Sequence, residues 1–290
     1  MMYRKSMFLF CVLLAAVLVG PAAGQIMWTD ENGIASNHNW ADASNWSSNE
    51  VPSDFDTVFI DYKAYSKAPE AHGPIIDSNV GCVAHLRVGG MMADVPATLT
   101  VTEGGLLTVK KTGRWPRDNG NLLVGQGEKA PGTLIMTGGK IIVENMCQVG
   151  KRPGLGLIKM SGDAEFVVKG PLKMGGMDGG WGEAFLQLDG GTVKCEGISM
   201  YRGESRIDIT GGTLVAGPSR LGGRSTMEGF IKNCVRDKRI TAYNGQGTVK
   251  WKKDSPEKGW IEVWAQLESE QEPNSPDQQQ PKQQEQKPAP

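Results

Sequence analysis

A short phrase recurs through the middle of the chain: a strand-like alternation of apolar and polar residues, a glycine pair or its equivalent, then further alternation. Lined up on the pair it reads Leu134-Ile135-Met136-Thr137-Gly138-Gly139, Ile158-Lys159-Met160-Ser161-Gly162-Asp163, Leu186-Gln187-Leu188-Asp189-Gly190-Gly191 and Ile207-Asp208-Ile209-Thr210-Gly211-Gly212. An earlier copy, Leu99-Thr100-Val101-Thr102-Glu103-Gly104-Gly105, fits with one extra residue. The pairs that open at positions 138, 162, 190 and 211 are separated by the length of a solenoid coil, not of a propeller blade.

Side chains alternate across a strand, so Leu134 and Met136, Ile158 and Met160, Leu186 and Leu188, and Ile207 and Ile209 are expected to point one way. After the pair, Ile141 and Val143, Val167, Val193 and Cys195, and Leu214 and Ala216 supply a second inward set. A third comprises Leu86 and Val88, Leu122 and Val124, Cys147 and Val149, Leu172 and Met174, Ile198 and Met200, and Leu221. Three strands per coil, joined by glycine turns that tolerate positive φ, predict an all-β protein: a three-sided right-handed parallel β-helix. No single coil encloses a core, so both ends need caps. Met227, Phe230, Ile231 and Cys234 have helical spacing and predict a short capping helix. Thr248 to Lys252 and Gly259 to Ala265 read as strands joined by a Ser255-Pro256 turn, a C-terminal β-hairpin that would block edge-to-edge association.

The two ends differ in composition from the repeats. Arg4 and Lys5, the apolar run from Met7 to Val19 and the small residues Ala22-Ala23-Gly24 fit a secretory signal cleaved near Gly24. The expected organisation is a signal peptide over 1–24, an N-terminal cap segment over 25–56, solenoid coils over 57–226, a C-terminal cap over 227–267 and a disordered Gln/Pro-rich tail over 268–290, too polar to offset its ordering entropy. No membrane span is expected in the mature chain, which would be secreted or held in the cell envelope. The 290 residues carry 31 basic against 32 acidic side chains, a balance that argues against nucleic acid as a partner.

Cys82, Cys147, Cys195 and Cys234 would remain after cleavage, and in an oxidising compartment four cysteines allow three pairings. Cys147 and Cys195 replace aliphatic residues in inward columns, which favours unpaired core thiols. With no Cys-x-x-Cys pair and three histidines, neither a metal nor another cofactor is expected.

Trp28-Thr29-Asp30, Asn39-Trp40, Asn45-Trp46, Val51-Pro52 and Asp56-Thr57-Val58-Phe59-Ile60 resemble the opening of large secreted repeat proteins of planctomycete-type bacteria. The Gly-Gly coils and the late phrase Arg239-Ile240-Thr241-Ala242-Tyr243-Asn244-Gly245-Gln246-Gly247-Thr248-Val249 are similar to the body and close of the same proteins. Covering roughly residues 28 to 265, the resemblance implies an exported, pectate-lyase-like or autotransporter-like solenoid and no particular activity.

Parallel β-helices often host polysaccharide lyases and hydrolases, which raises the enzymatic alternative by analogy alone. A hydrolase needs paired carboxylates at one substrate position; Asp189 and Asp208 come nearest, but Asp189 precedes its glycine pair whereas Asp208 lies on a strand. A lyase acting on an acidic polysaccharide needs a base and a cation, and Tyr201 with Arg202 suits that chemistry. Lys151, Arg152, Arg220 and Arg224 also follow third strands, where long cations are ordinary decoration of exposed turns. Two insertions, Lys110 to Asn121 and Gly175 to Glu183, leave the regular scaffold and carry Trp115, Arg117, Asp178 and Trp181, the candidate ligand contacts, although either tryptophan can equally fold back over its coil as a lid. Trp28, Trp40 and Trp46 read as cap packing, and Trp251, Trp260 and Trp264 as structural residues of the hairpin. The favoured reading is a non-enzymatic extracellular or envelope protein with polysaccharide or another envelope component as partner; a polysaccharide lyase or hydrolase and a purely structural or adhesive module are the alternatives.

Overall fold

The computed structural model describes residues 24–29, 37–60, 73–90, 96–112, 120–126, 131–151, 153–176, 182–201, 204–218 and 226–267. After β1 (Gln25–Met27) and β2 (Thr57–Ile60) the chain makes successive rounds of short strands. These are β3 (Ile75–Ile76), β4 (Asn79–Val83) and β5 (His85–Val88); β6 (Ala97–Val101), β7 (Leu106–Val109) and β8 (Asn121–Val124); and β9 (Gly132–Met136), β10 (Lys140–Val143) and β11 (Met146–Val149). Three further rounds are β12 (Leu155–Met160) with β13 (Glu165–Met174), β14 (Glu183–Leu188) with β15 (Thr192–Met200), and β16 (Ser205–Ile209) with β17 (Thr213–Ala216). The helix α1 (Met227–Arg236) and strands β18 (Ile240–Ala242), β19 (Thr248–Lys253) and β20 (Ile261–Gln266) close the described chain.

Each strand pairs with its counterpart in the next round rather than with its neighbour in sequence. One seven-stranded sheet runs β3-β6-β9-β12-β14-β16-β18, parallel throughout. A thirteen-stranded sheet holds two parallel ladders, β1-β2-β5-β8-β11-β13-β15 and β4-β7-β10-β13-β15-β17, which merge because β13 and β15 are long enough to belong to both. The fold is thus mainly β and largely parallel, with one short helix and a C-terminal antiparallel pair, and is consistent with a β-solenoid-like arrangement.

In-register stacking turns the alternation of the sequence into continuous apolar columns. Leu99, Leu134, Ile158, Leu186, Ile207 and Ile240 form one, with every member buried. Val58, Leu86, Leu122, Cys147, Leu172 and Ile198 form another. Each such side chain removed from water contributes about 1.5–3 kcal/mol, a gain that exists only when the neighbouring round is in place. The second ladder departs from expectation at one position. Ile141 stacks on Phe166 and Val143 on Val168, both buried, so Val167 faces outward instead of joining the core. Ala164 occupies the place that Gly139 and Gly191 hold in adjacent rounds: Glu165 N donates to Gly139 O and Thr192 N to Ala164 O. The turn after Met160 is therefore one residue longer, which sets Phe166 and Val168 rather than Val167 on the inward face.

At the N-terminal end Trp28, Trp40 and Trp46 are buried as expected, with edge-to-face ring centroids 5.0 Å apart for Trp28–Trp46 and 4.7 Å for Trp40–Trp46. The Trp46 indole N–H donates to the Trp40 carbonyl at 2.8 Å. Asp56 ties this cap to β1 by accepting from Gly24 N at 3.1 Å, Ser53 N at 2.8 Å and Ser53 Oγ at 2.7 Å. At the other end, Thr226 caps α1 by accepting from Gly229 N at 3.2 Å, and Ile231 and Cys234 are buried while Met227 and Phe230 pack against the core. The hairpin forms as expected, and β20 pairs antiparallel with β17, so the last parallel strand of that ladder is covered. The strand left at the margin, β19, carries exposed Lys250, Lys252 and Lys253, which discourage further pairing. No described helix is long and apolar enough to cross a membrane.

Candidate functional site

Five backbone N–H groups form a ladder at the corner that follows the third strand of each round. Gly89 donates to Ile60 O at 3.1 Å, Gly125 to Val88 O at 2.8 Å, Gly150 to Val124 O at 2.8 Å, Gly175 to Val149 O at 2.9 Å and Tyr201 to Met174 O at 2.9 Å. The four glycines have φ between 65° and 86°, and Tyr201 takes their place without a positive φ. Its main chain is a rung of the scaffold, and its half-buried side chain stands at the corner. Lys151 follows the same corner two rounds earlier, with its N–H donating to Gly125 O at 2.8 Å. Two strand spacings, roughly 10 Å, separate the two backbones, so Lys151 and Tyr201 share a corner. Arg152, Arg202, Arg220 and Arg224 lie outside the described residues, as do Trp115, Arg117, Asp178, Trp181 and Leu221.

The two carboxylates singled out in the sequence serve the scaffold. Asp189 accepts from Gln187 Nε2 at 2.7 Å and, one round on, from Thr210 Oγ1 at 2.6 Å. Asp208 accepts at a single oxygen from Thr241 Oγ1 at 2.6 Å and Asn244 N at 2.9 Å, which fastens β16 to β18 and to the turn beyond it. Each acid thus bridges successive rounds by charge-assisted hydrogen bonds.

The four described cysteines are unpaired, with Cys147, Cys195 and Cys234 buried and Cys82 partly exposed. Burial pushes the Cys195 thiol up to about 12 and the Cys234 thiol up to about 11, and raises Cys147 as well, where Cys195 adds a smaller upward push. These three are protonated, inert core groups at neutral pH. Among the described residues, no group of three or more His, Cys, Asp or Glu side chains is placed to hold a metal ion.

One surface feature goes beyond the sequence expectations. Ile261 and Val263 of β20 are buried opposite Ala216 and Leu214, which turns Glu262 and Trp264 to the outer face. There Trp264 pairs with Lys250 and Glu262 with Lys252 across the hairpin, and Glu262 also stands beside Val215 of β17. Val215 pairs in turn with Lys194, whose ammonium lies 4.9 Å from the Trp260 ring centroid. Trp251, paired with Val263, packs against the core, so the structural role expected for all three hairpin tryptophans holds for it; Trp260 and Trp264 remain partly exposed and lie outside the core cluster. The signal was present in the sequence: Glu262 and Gln266 flank Trp264 at alternate positions and place it on a polar face.

Fold and surface together define a mainly β protein of stacked parallel strands, solenoid-like in its pairing, with an aromatic and basic patch on its closing hairpin. Comparison with family models, with curated proteins and with solved structures finds no match.

Proposed function

We propose that the chain is a three-sided right-handed parallel β-solenoid, exported after cleavage near Gly24, that works outside the cytoplasm as a non-enzymatic binding or structural protein with polysaccharide as partner. The observation that carries this reading is the use made of two acids: Asp189 and Asp208, the pair nearest to a hydrolytic arrangement, hold one round to the next through Thr210 and Thr241. A general acid or base must be free to reach a substrate proton, and the scaffold engages both oxygens of Asp189 and one of Asp208. The right hand follows the general rule for parallel strands joined by crossovers, and three ladders with short corners support three sides. Export is supported by the charged start and apolar run at the N-terminus. The likeness of the opening and closing phrases to secreted planctomycete-type repeat proteins points the same way.

The test is to incubate the protein with acidic and neutral polysaccharides while following both the ultraviolet absorbance of unsaturated products with new reducing ends, and retardation in polysaccharide-containing gels. Retardation without product supports the binding reading. Product formation that is lost on Tyr201→Phe overturns it in favour of a lyase, and absence of both signals leaves only the structural half of the proposal.

A further inference from the structure

We infer that the outer face of the C-terminal hairpin is a binding site for an acidic polysaccharide, with Trp264 as the stacking surface and Lys250, Lys252 and Lys194 as partners for its carboxylates. The inference rests on the polysaccharide-binding reading and deepens it by naming the site and the charge of the glycan.

Charge is distributed unevenly along this face. In the middle rounds its cations are paired with acids: Lys140 with Glu165, and Lys169 with Glu144 at 3.4 Å. At the hairpin end that pairing stops. Among the described residues, Lys250 and Lys252 make no ion pair, and the Lys194 ammonium is engaged by the Trp260 ring alone. The single acid between them, Glu262, accepts from Ser255 Oγ at 2.7 Å. Lysines on a marginal strand also discourage edge pairing, but that role requires neither Trp260 nor Trp264.

Shape selects the kind of anion. The patch lies on an extended sheet whose N–H and C=O groups point along the sheet to neighbouring strands, so a peptide laid across it finds no backbone partners. A sugar ring needs none, because its C–H face packs on an indole while its substituents reach sideways. From Lys194 on β15 across Val215 of β17 and Glu262 of β20 to Lys252 on β19 is three strand spacings, roughly 14 Å, with Trp264 and Lys250 paired on the same face two residues further along the hairpin. A linear polyuronate spans that distance with several rings and presents a carboxylate on each, and two or more separated lysines then hold one chain in register.

The experiment titrates the full protein with polygalacturonate and with its methyl ester at several salt concentrations, reading retention in affinity gels and the change in tryptophan fluorescence. Wild type is expected to hold polygalacturonate more tightly than the ester. Trp264→Ala weakens this about tenfold, as removal of a central aromatic contact does. Trp264→Phe restores most of the loss, which a merely misfolded variant does not do. The double variant Lys250→Gln/Lys252→Gln weakens binding and flattens its salt dependence, whereas Lys140→Gln on the same face has no effect. Unchanged binding by Trp264→Ala and by the double lysine variant overturns the inference while leaving the polysaccharide-binding reading in place. Equal retention of the ester overturns the assignment to an acidic glycan. If wild type retains neither acidic nor neutral polysaccharide, both the inference and the reading beneath it fail.

Discussion

Gly150 and Gly81 separate two physical reasons for needing glycine, because both adopt positive φ, 65° and 80°, but only one is crowded. A Cβ on Gly150 would lie 2.1 Å from the carbonyl oxygen of Glu183 and 2.7 Å from its carbon, whereas one on Gly81 would meet nothing within 4 Å. Left-handed backbone costs an alanine about 1–2 kcal/mol, and the stiffer unfolded chain returns about 0.4–1 kcal/mol, so Gly81→Ala should lose roughly 1 kcal/mol. Gly150→Ala carries the same term and must also push away the backbone of the next round. That strains the corner at which Gly150 N donates to Val124 O, and overpacking of this kind adds about 1–3 kcal/mol. Since 1 kcal/mol moves the midpoint of a chain this size by about 2–4 °C, Gly81→Ala should melt only slightly lower and Gly150→Ala roughly two to four times further down. Thermal melts followed by circular dichroism measure both. Equal shifts for the two variants would refute the close-approach argument and leave backbone conformation as the whole effect.

The facing of the fourth round is checked by Phe166→Ala, expected to cost about 3–5 kcal/mol in urea unfolding, against Val167→Thr, expected to stay within about 0.5 kcal/mol; the reverse order would restore Val167 to the core. Thiol labelling followed by peptide mapping should modify Cys82 in the folded protein and reach Cys147, Cys195 and Cys234 only on unfolding. The same buried thiols predict a pH dependence. Their folded pKa values lie above those of the unfolded chain, so their stabilisation is complete below about pH 8.5 and is lost as pH rises toward 11–12, where the unfolded chain ionises first. Urea midpoints that hold constant from pH 8 to 11, with Cys147, Cys195 and Cys234 intact, would contradict that sign.

Much of the architecture is written locally. Alternation in Leu134 and Met136, Ile158 and Met160, or Leu186 and Leu188 names the buried face of each strand, since adjacent side chains must point oppositely, and the recurring glycine pairs mark the corners. The helical spacing of Ile231 and Cys234 was readable for the same reason: burial is periodic along a regular element. Val167 was misread because facing depends on the count of residues in the preceding turn, and only the pairing of Ile141 with Phe166 reveals the extra one. Likewise, Asp189 and Asp208 are visible in the sequence as acids of successive coils, but which donors claim them depends on the next round, through Thr210, Thr241 and Asn244. The hairpin shows the limit most plainly. Alternation sets Ile261, Val263 and Ala265 against Glu262, Trp264 and Gln266 and so separates the two faces of β20, but it does not say which strands lie beside them. The antiparallel pairing of β20 with β17, between segments distant in sequence, buries Val263 and sets Trp264 outside beside Lys250. Periodicity, a property of neighbouring residues, is what the sequence by itself determined; the choice of face and the company each side chain keeps were decided only when separate rounds came into register.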